Sequence, residues 1–113
     1  GIAETIHTAN RGENITIIFI NNTVYGMTGG QLAPTTLLGQ KTTTSPYGRD
    51  FMQDGYPIRM TEILATLEGT AFAARVAFTT PKNITLAQKA LDKAFRFQKD
   101  EMGFTFVEIL SAC

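Results

Sequence analysis

Residues 15–20, ITIIFI, constrain the fold of this chain more than any other stretch. A strand with one wet face alternates apolar and polar side chains; this run is apolar at nearly every position and mostly β-branched. It predicts a strand buried on both faces, as in parallel sheets covered by helices. The pattern around it supplies those helices. Ile2 and Ile6 stand four apart in IAETIHTAN, a helix over 2–10 with a stop near Gly12. Met60, Ile63, Leu64 and Leu67 share one helical face, which Gly69 closes. Residues 73–79, AARVAFT, read as a short strand. Thr85 and Gln88 fit a capping box for a helix striped by Leu86, Ala90, Leu91, Ala94 and Phe95, stopping near Gly103, and FTFVEIL at 104–110 is the last strand. Strands alternating with helices predict one α/β domain over residues 1–113, a doubly wound parallel sheet with helices on both faces.

Charge narrows the partners. Ten basic residues balance ten acidic ones, so neither a nucleic-acid stripe nor a polybasic membrane patch is present. No apolar run approaches the roughly 20 residues of a membrane helix. The expected setting is cytoplasmic, without nucleic acid or membrane as partner. The chain opens at Gly1 inside a helical pattern and closes at Cys113 just after a strand, which predicts part of a larger protein.

Between the first strand and about Pro57 lies a Gly-, Thr- and Pro-rich stretch with no sustained period, beginning NNTVYGMTGGQ at 21–31. A loop of that length in a compact domain is usually functional, and in a parallel sheet ligands collect at the carboxyl ends of strands, where this one starts. Its chemistry suits a hard cation and a phosphate: asparagine offers a neutral oxygen, turns offer carbonyls, and Thr28, Gly29 and Gly30 offer a hydroxyl and N–H donors with no side chain in the way. By local grammar alone, Asn-Asn after a strand also reads as a turn and Gly-Gly as a bend. Arg49, Asp50 and Asp54 lie further along with no informative spacing. His7, the only histidine, reads as a helix-surface residue, and Lys82, Lys89, Lys93, Arg96 and Lys99 as a solvated helix face.

A strand followed by NN, VYG, MTGGQ and Pro-Thr-Thr resembles the thiamine diphosphate half-site of the 2-oxoacid:ferredoxin oxidoreductases, in their β subunit or the matching domain of single-chain pyruvate:ferredoxin oxidoreductase. TSPYG at 44–48 and VEILSAC at the end add looser support. The resemblance implies a partial thiamine diphosphate-binding domain over 1–113. It makes the Asn22 side chain and the Val24 carbonyl ligands of Mg²⁺, places Thr28, Gly29, Gly30 and Gln31 around the diphosphate, and gives Tyr25 and Met27 apolar contact near the rings. The Gly-Asp-Gly that supplies an aspartate to this metal in thiamine diphosphate enzymes is not in the chain; by resemblance it lies just before Gly1. The activating glutamate comes from the α subunit, so this chain alone is expected to be inactive and its own catalytic residue is not assigned.

The implied activity is oxidative decarboxylation of a 2-oxoacid (pyruvate, 2-oxoisovalerate or 2-oxoglutarate) with coenzyme A, electrons passing to ferredoxin. Cys113, by the same resemblance, is one thiolate of a [4Fe–4S] cluster in the full-length protein; read as a residue, it is equally a small packing hydrophobe. The rival reading of the Gly-rich loop is a non-enzymatic phosphate- or nucleotide-binding α/β module, which lacks a P-loop or G-x-G-x-x-G fingerprint.

Overall fold

The computed structural model describes residues 1–112. Two compact units emerge: Gly1–Ile20 with Met60–Ser111, and a second of which Asn21–Arg59 is the continuous part.

The first unit is the α/β layer. Its elements are α1 (Ile2–Asn10), β1 (Thr16–Asn21, whose last residue belongs to the second unit), then, after the intervening segment, a helix at Met60–Ala65, a strand at Thr70–Ala77, a helix at Pro81–Lys99 and a strand at Phe104–Leu110. The intervening segment contributes β2 (Val24–Tyr25), β3 (Gln31–Leu32) and α2 (Phe51–Asp54), so the later elements are α3, β4, α4 and β5 in that order. The sheet order is β1-β5-β4, with β4 and β5 parallel from Thr70↔Phe104 to Ala77↔Leu110 and a register shift between Thr70 and Phe72.

β5 is the doubly buried strand. Phe104, Thr105, Phe106, Val107, Glu108 and Ile109 are all buried. Successive side chains take opposite faces. Val107 and Ile109 pack with Ala94, Ala90 and Leu91 of α4, while Glu108 turns to Thr61 of α3, so helices cover both faces. Each of the large apolar side chains buried here contributes about 1.5–3 kcal/mol. β1 departs from the expectation for ITIIFI. It has a neighbour on one side only, and Ile18 and Ile20, which share a face, remain 43% and 56% exposed. As an edge strand with one face open among the described residues, β1 is half-buried, although Phe19 meets Phe106 at 6.1 Å between ring centres.

Helix α4 begins five residues earlier than the Thr85–Gln88 box predicts. Thr80 is the cap, its hydroxyl accepting from the Asn83 N–H at 3.1 Å, and Pro81 occupies the first helical position, where its missing N–H costs nothing. Thr85 instead donates back to the Pro81 carbonyl. The core-facing stripe accordingly shifts to Ala87, Ala90, Leu91 and Ala94, leaving Leu86 and Phe95 about half exposed. Lys93, read as solvated, holds its ammonium 5.0 Å from the centre of the Phe72 ring and 5.6 Å from that of Phe97. β4 starts at Thr70, not 73, because Gly69 turns the chain against α1: a Cβ on Gly69 would lie 2.1 Å from the Ala9 carbonyl oxygen.

One ionic network ties α3 to the sheet. Glu108, 3% exposed, accepts from Arg75 at 2.9 Å and from the Thr61 hydroxyl at 2.8 Å; Arg75 reaches Glu62 at 2.6 and 2.7 Å. Glu62 first and Glu108 second hold the Arg75 pKa above its ordinary value.

Candidate functional site

The second unit is organised by hydrogen bonds more than by apolar burial. β2 and β3 form a short antiparallel pair, Val24↔Leu32 and Tyr25↔Gln31, around the turn carrying Gly26 to Gly30. Within it the Gly30 N–H donates to the Tyr25 carbonyl at 2.9 Å and the Gly29 N–H to that of Gly26 at 3.2 Å. Both glycines have positive φ, 119° and 81°, where a side chain would be strained. These two N–H groups, expected to be open donors, therefore close the turn. Thr28 donates to Gln31 Oε1 at 2.5 Å while the Gln31 amide donates to the Thr28 carbonyl at 2.8 Å. Met27 is fully exposed at the tip, and Tyr25 is 55% exposed.

The two asparagines are used differently. Asn21 is 7% exposed, and its Oδ1 accepts from the Thr23 N–H at 2.9 Å and the Thr35 hydroxyl at 2.8 Å. That first bond is an Asx turn, so the bland reading of Asn-Asn holds for Asn21. Asn22 is half-buried, and its Oδ1 receives a long 3.4 Å bond from the Val24 N–H, which leaves lone-pair capacity on that oxygen.

Between Asn22 and Val24, Thr23 adopts φ = 65°. A β-branched residue in the left-handed region is an outlier, with a cost of about 1–3 kcal/mol. Three neighbours hold it there. Thr36, fully buried, donates to the Thr23 carbonyl, and its hydroxyl accepts from the Ala33 N–H at 2.9 Å. Gln40 Nε2 donates to Thr23 Oγ1 at 2.8 Å, and Asn21 receives the Thr23 N–H. Sequence reasoning missed Thr23 and Gln40, since neither type announces a strained backbone; Thr35 and Thr36 were noticed only as part of a resemblance.

Arg49 is the larger omission. It is 6% exposed and donates to six main-chain carbonyls, those of Ala33, Pro34, Thr36, Asp54, Gly55 and Tyr56, at 2.9–3.1 Å. The guanidinium fork thereby fastens the 33–36 turn to the end of α2, whose cap is Asp50, accepting from the Met52 N–H at 3.0 Å. A single arginine in a Gly- and Thr-rich stretch was the available signal.

The donor set fits half of a metal–diphosphate site. Neutral oxygens at 22 and 24 suit Mg²⁺, and residues 21–31 contain no acidic side chain, so negative charge must come from outside this segment. No group of three His, Cys, Asp or Glu side chains that could hold a metal occurs among the described residues. Cys113, expected at an iron–sulfur cluster, lies outside the described residues. No helix among the described residues is long and apolar enough to cross a membrane.

Comparison with known proteins assigns the family. Residues 1–109 match the thiamine pyrophosphate enzyme, C-terminal TPP binding domain. The chain is 51% identical over all 113 residues to ketoisovalerate oxidoreductase subunit VorA of Methanothermobacter thermautotrophicus, covering 24% of that protein. It is 40% identical over 108 residues to 2-oxoglutarate synthase subunit KorB of Archaeoglobus fulgidus, covering 96% of this chain and 36% of that one. Among solved structures, 98% of the chain superimposes on 34% of a 2-oxoglutarate:ferredoxin oxidoreductase from Magnetococcus marinus, with a TM-score of 0.76 and 26% identity; that enzyme was solved with 2-oxoglutarate, coenzyme A and succinyl-CoA bound. The chain thus spans about a quarter to a third of the length of these relatives and shares its fold with the matching part of the solved one, and the rival reading as a phosphate- or nucleotide-binding module is not favoured. A strand leading into NNTVYGMTGGQ, on a sheet covered from both sides by helices, belongs to the family of C-terminal TPP-binding domains of thiamine pyrophosphate enzymes.

Proposed function

We propose that this chain is the part of a 2-oxoacid:ferredoxin oxidoreductase subunit that holds one side of thiamine diphosphate and its Mg²⁺. The observation that carries this reading is the division of labour at 21–24, where Asn21 Oδ1 takes two bonds from the fold and Asn22 Oδ1, with a long 3.4 Å bond from the Val24 N–H, keeps coordinating capacity. Asn22 and Val24 would ligate the metal. Thr28 and Gln31 would exchange their mutual bond for the diphosphate, with Gly29 and Gly30 letting it approach, and Tyr25 and Met27 would lie against the rings. When bound, thiamine diphosphate supplies the nucleophilic carbon and the electron sink for decarboxylation, and the protein orients it and excludes water.

The overall reaction takes a 2-oxoacid and coenzyme A to the acyl-CoA and CO₂, with the electron pair passing to ferredoxin. An α subunit completes the cofactor's enclosure, the complex works in the cytoplasm, and Cys113 supplies one thiolate to a [4Fe–4S] cluster on the electron path. Identity over the whole chain to the ketoisovalerate subunit, at 51% against 40% for the 2-oxoglutarate subunit, favours 2-oxoisovalerate as substrate.

The test is purification of the full-length protein with its partner subunits, followed by coenzyme A-dependent ferredoxin reduction with 2-oxoisovalerate, 2-oxoglutarate and pyruvate in parallel. Bound thiamine diphosphate and fastest reduction with 2-oxoisovalerate are expected. Preparations that never contain the cofactor and reduce ferredoxin with none of the three would overturn the proposal.

A further inference from the structure

The strained backbone at Thr23 sits between the two groups assigned to the metal, and nothing in the local sequence requires a left-handed residue there. We infer that Thr36, Thr35 and Gln40 are positioning residues that clamp Thr23 in this conformation and so set Asn22 Oδ1 and the Val24 carbonyl as a ligand pair; this rests on the metal site proposed above. Every polar group of Thr23 is held: its carbonyl by Thr36, its hydroxyl by Gln40 and its N–H by Asn21, itself fixed by Thr35. With Thr23 in this conformation Asn22 Oδ1 lies 3.4 Å from the Val24 nitrogen, so the two ligands proposed for the metal share one tight turn. Strained residues persist only where surrounding contacts over-determine them, and here buried Thr36 provides the anchor.

Thr36→Val removes the hydroxyl with little change in volume, and Gln40→Leu removes the second clamp at a half-exposed position that folding tolerates. Thr23→Gly occupies the left-handed region without strain. In the full-length complex, Mn²⁺ titration followed by EPR at saturating thiamine diphosphate reads metal affinity directly, with melting temperature measured beside it. Thr36→Val and Gln40→Leu should each weaken Mn²⁺ binding by about 10-fold, the lower end of what outer-sphere partners of metal ligands contribute. Adding Thr23→Gly to Thr36→Val should restore most of that affinity, which a purely structural role for Thr36 would not produce.

Unchanged Mn²⁺ affinity in both clamp variants, or a double variant no better than Thr36→Val, overturns the inference. Asn22→Ala separates the two levels. If it releases Mn²⁺ while the clamp variants do not, only the positioning role fails; if it too leaves Mn²⁺ bound at parental affinity, the proposed metal site fails and the positioning role with it.

Discussion

Arg49→Met tests whether the 33–58 segment is built on a buried guanidinium. The substitution keeps an unbranched chain of similar reach and removes five N–H donors that serve six carbonyls. The bonds to the Ala33 and Thr36 carbonyls are buried; those to Pro34, Asp54, Gly55 and Tyr56 are partly so and can be rehydrated. The Thr36 carbonyl loses its guanidinium donor at a cost of about 1–3 kcal/mol, whereas the Ala33 carbonyl keeps the Thr36 N–H at 3.1 Å. Part of this is offset because a charged group no longer has to be desolvated. A net local loss of about 1.4 kcal/mol corresponds to roughly 10-fold more frequent opening.

Hydrogen exchange reads this by residue. The amides of Thr36, Gly39 and Ile58, which donate to Ala33, Arg49 and Pro34, should lose about 10-fold protection, while Val107 and Ile109 in β5 keep theirs. Arg49→Lys, with three donors on one nitrogen, should lie between the two. Unchanged protection over 33–58, or equal loss in β5, would refute the reasoning.

Gly69→Ala should destabilise the α/β unit by several kcal/mol in chemical denaturation, since its Cβ would meet the Ala9 carbonyl oxygen at 2.1 Å and the Gly12 nitrogen at 2.7 Å, both backbone atoms. Arg75→Met strands Glu108 in the sheet and should cost about 3–5 kcal/mol by the same measurement. The wild-type contribution of Arg75 should be equal at pH 7 and pH 10: its folded pKa is raised, so the stabilisation is fully present below the unfolded value and is lost only as pH rises through a folded value beyond that range. Cys113→Ser in the full-length complex should lower iron content and change the low-temperature EPR signal while thiamine diphosphate stays bound; an unchanged spectrum would return Cys113 to a packing role.

The alternation of helices and strands was readable because β5 and α4 carry strong apolar patterns, and it led directly to a sheet with helices on both faces. The local errors have local causes. ITIIFI has the composition of a central strand, but burial depends on neighbours, and β1 has one strand beside it. Two Thr-x-x-polar patterns compete at the start of α4, and Pro81 decides for Thr80. The 21–59 segment was legible as a candidate site through NNTVYGMTGGQ but not as a structure. Its order comes from side-chain-to-backbone bonds made by Arg49, Thr36 and Gln40, which leave no periodicity in sequence. Asn21 and Asn22, identical in type and adjacent, differ in their bonds: Asn21 Oδ1 accepts from the Thr23 N–H and the Thr35 hydroxyl at 2.9 and 2.8 Å, Asn22 Oδ1 from the Val24 N–H at 3.4 Å.

That difference is the centre of the account, and a crystal structure of the full-length complex with thiamine diphosphate and Mg²⁺ tests it most directly. Mg²⁺ is predicted at about 2.0–2.1 Å from both Asn22 Oδ1 and the Val24 carbonyl oxygen, with Asn21 Oδ1 still accepting from the Thr23 N–H and the Thr35 hydroxyl. A metal held by Asn21, or by neither asparagine, would contradict it.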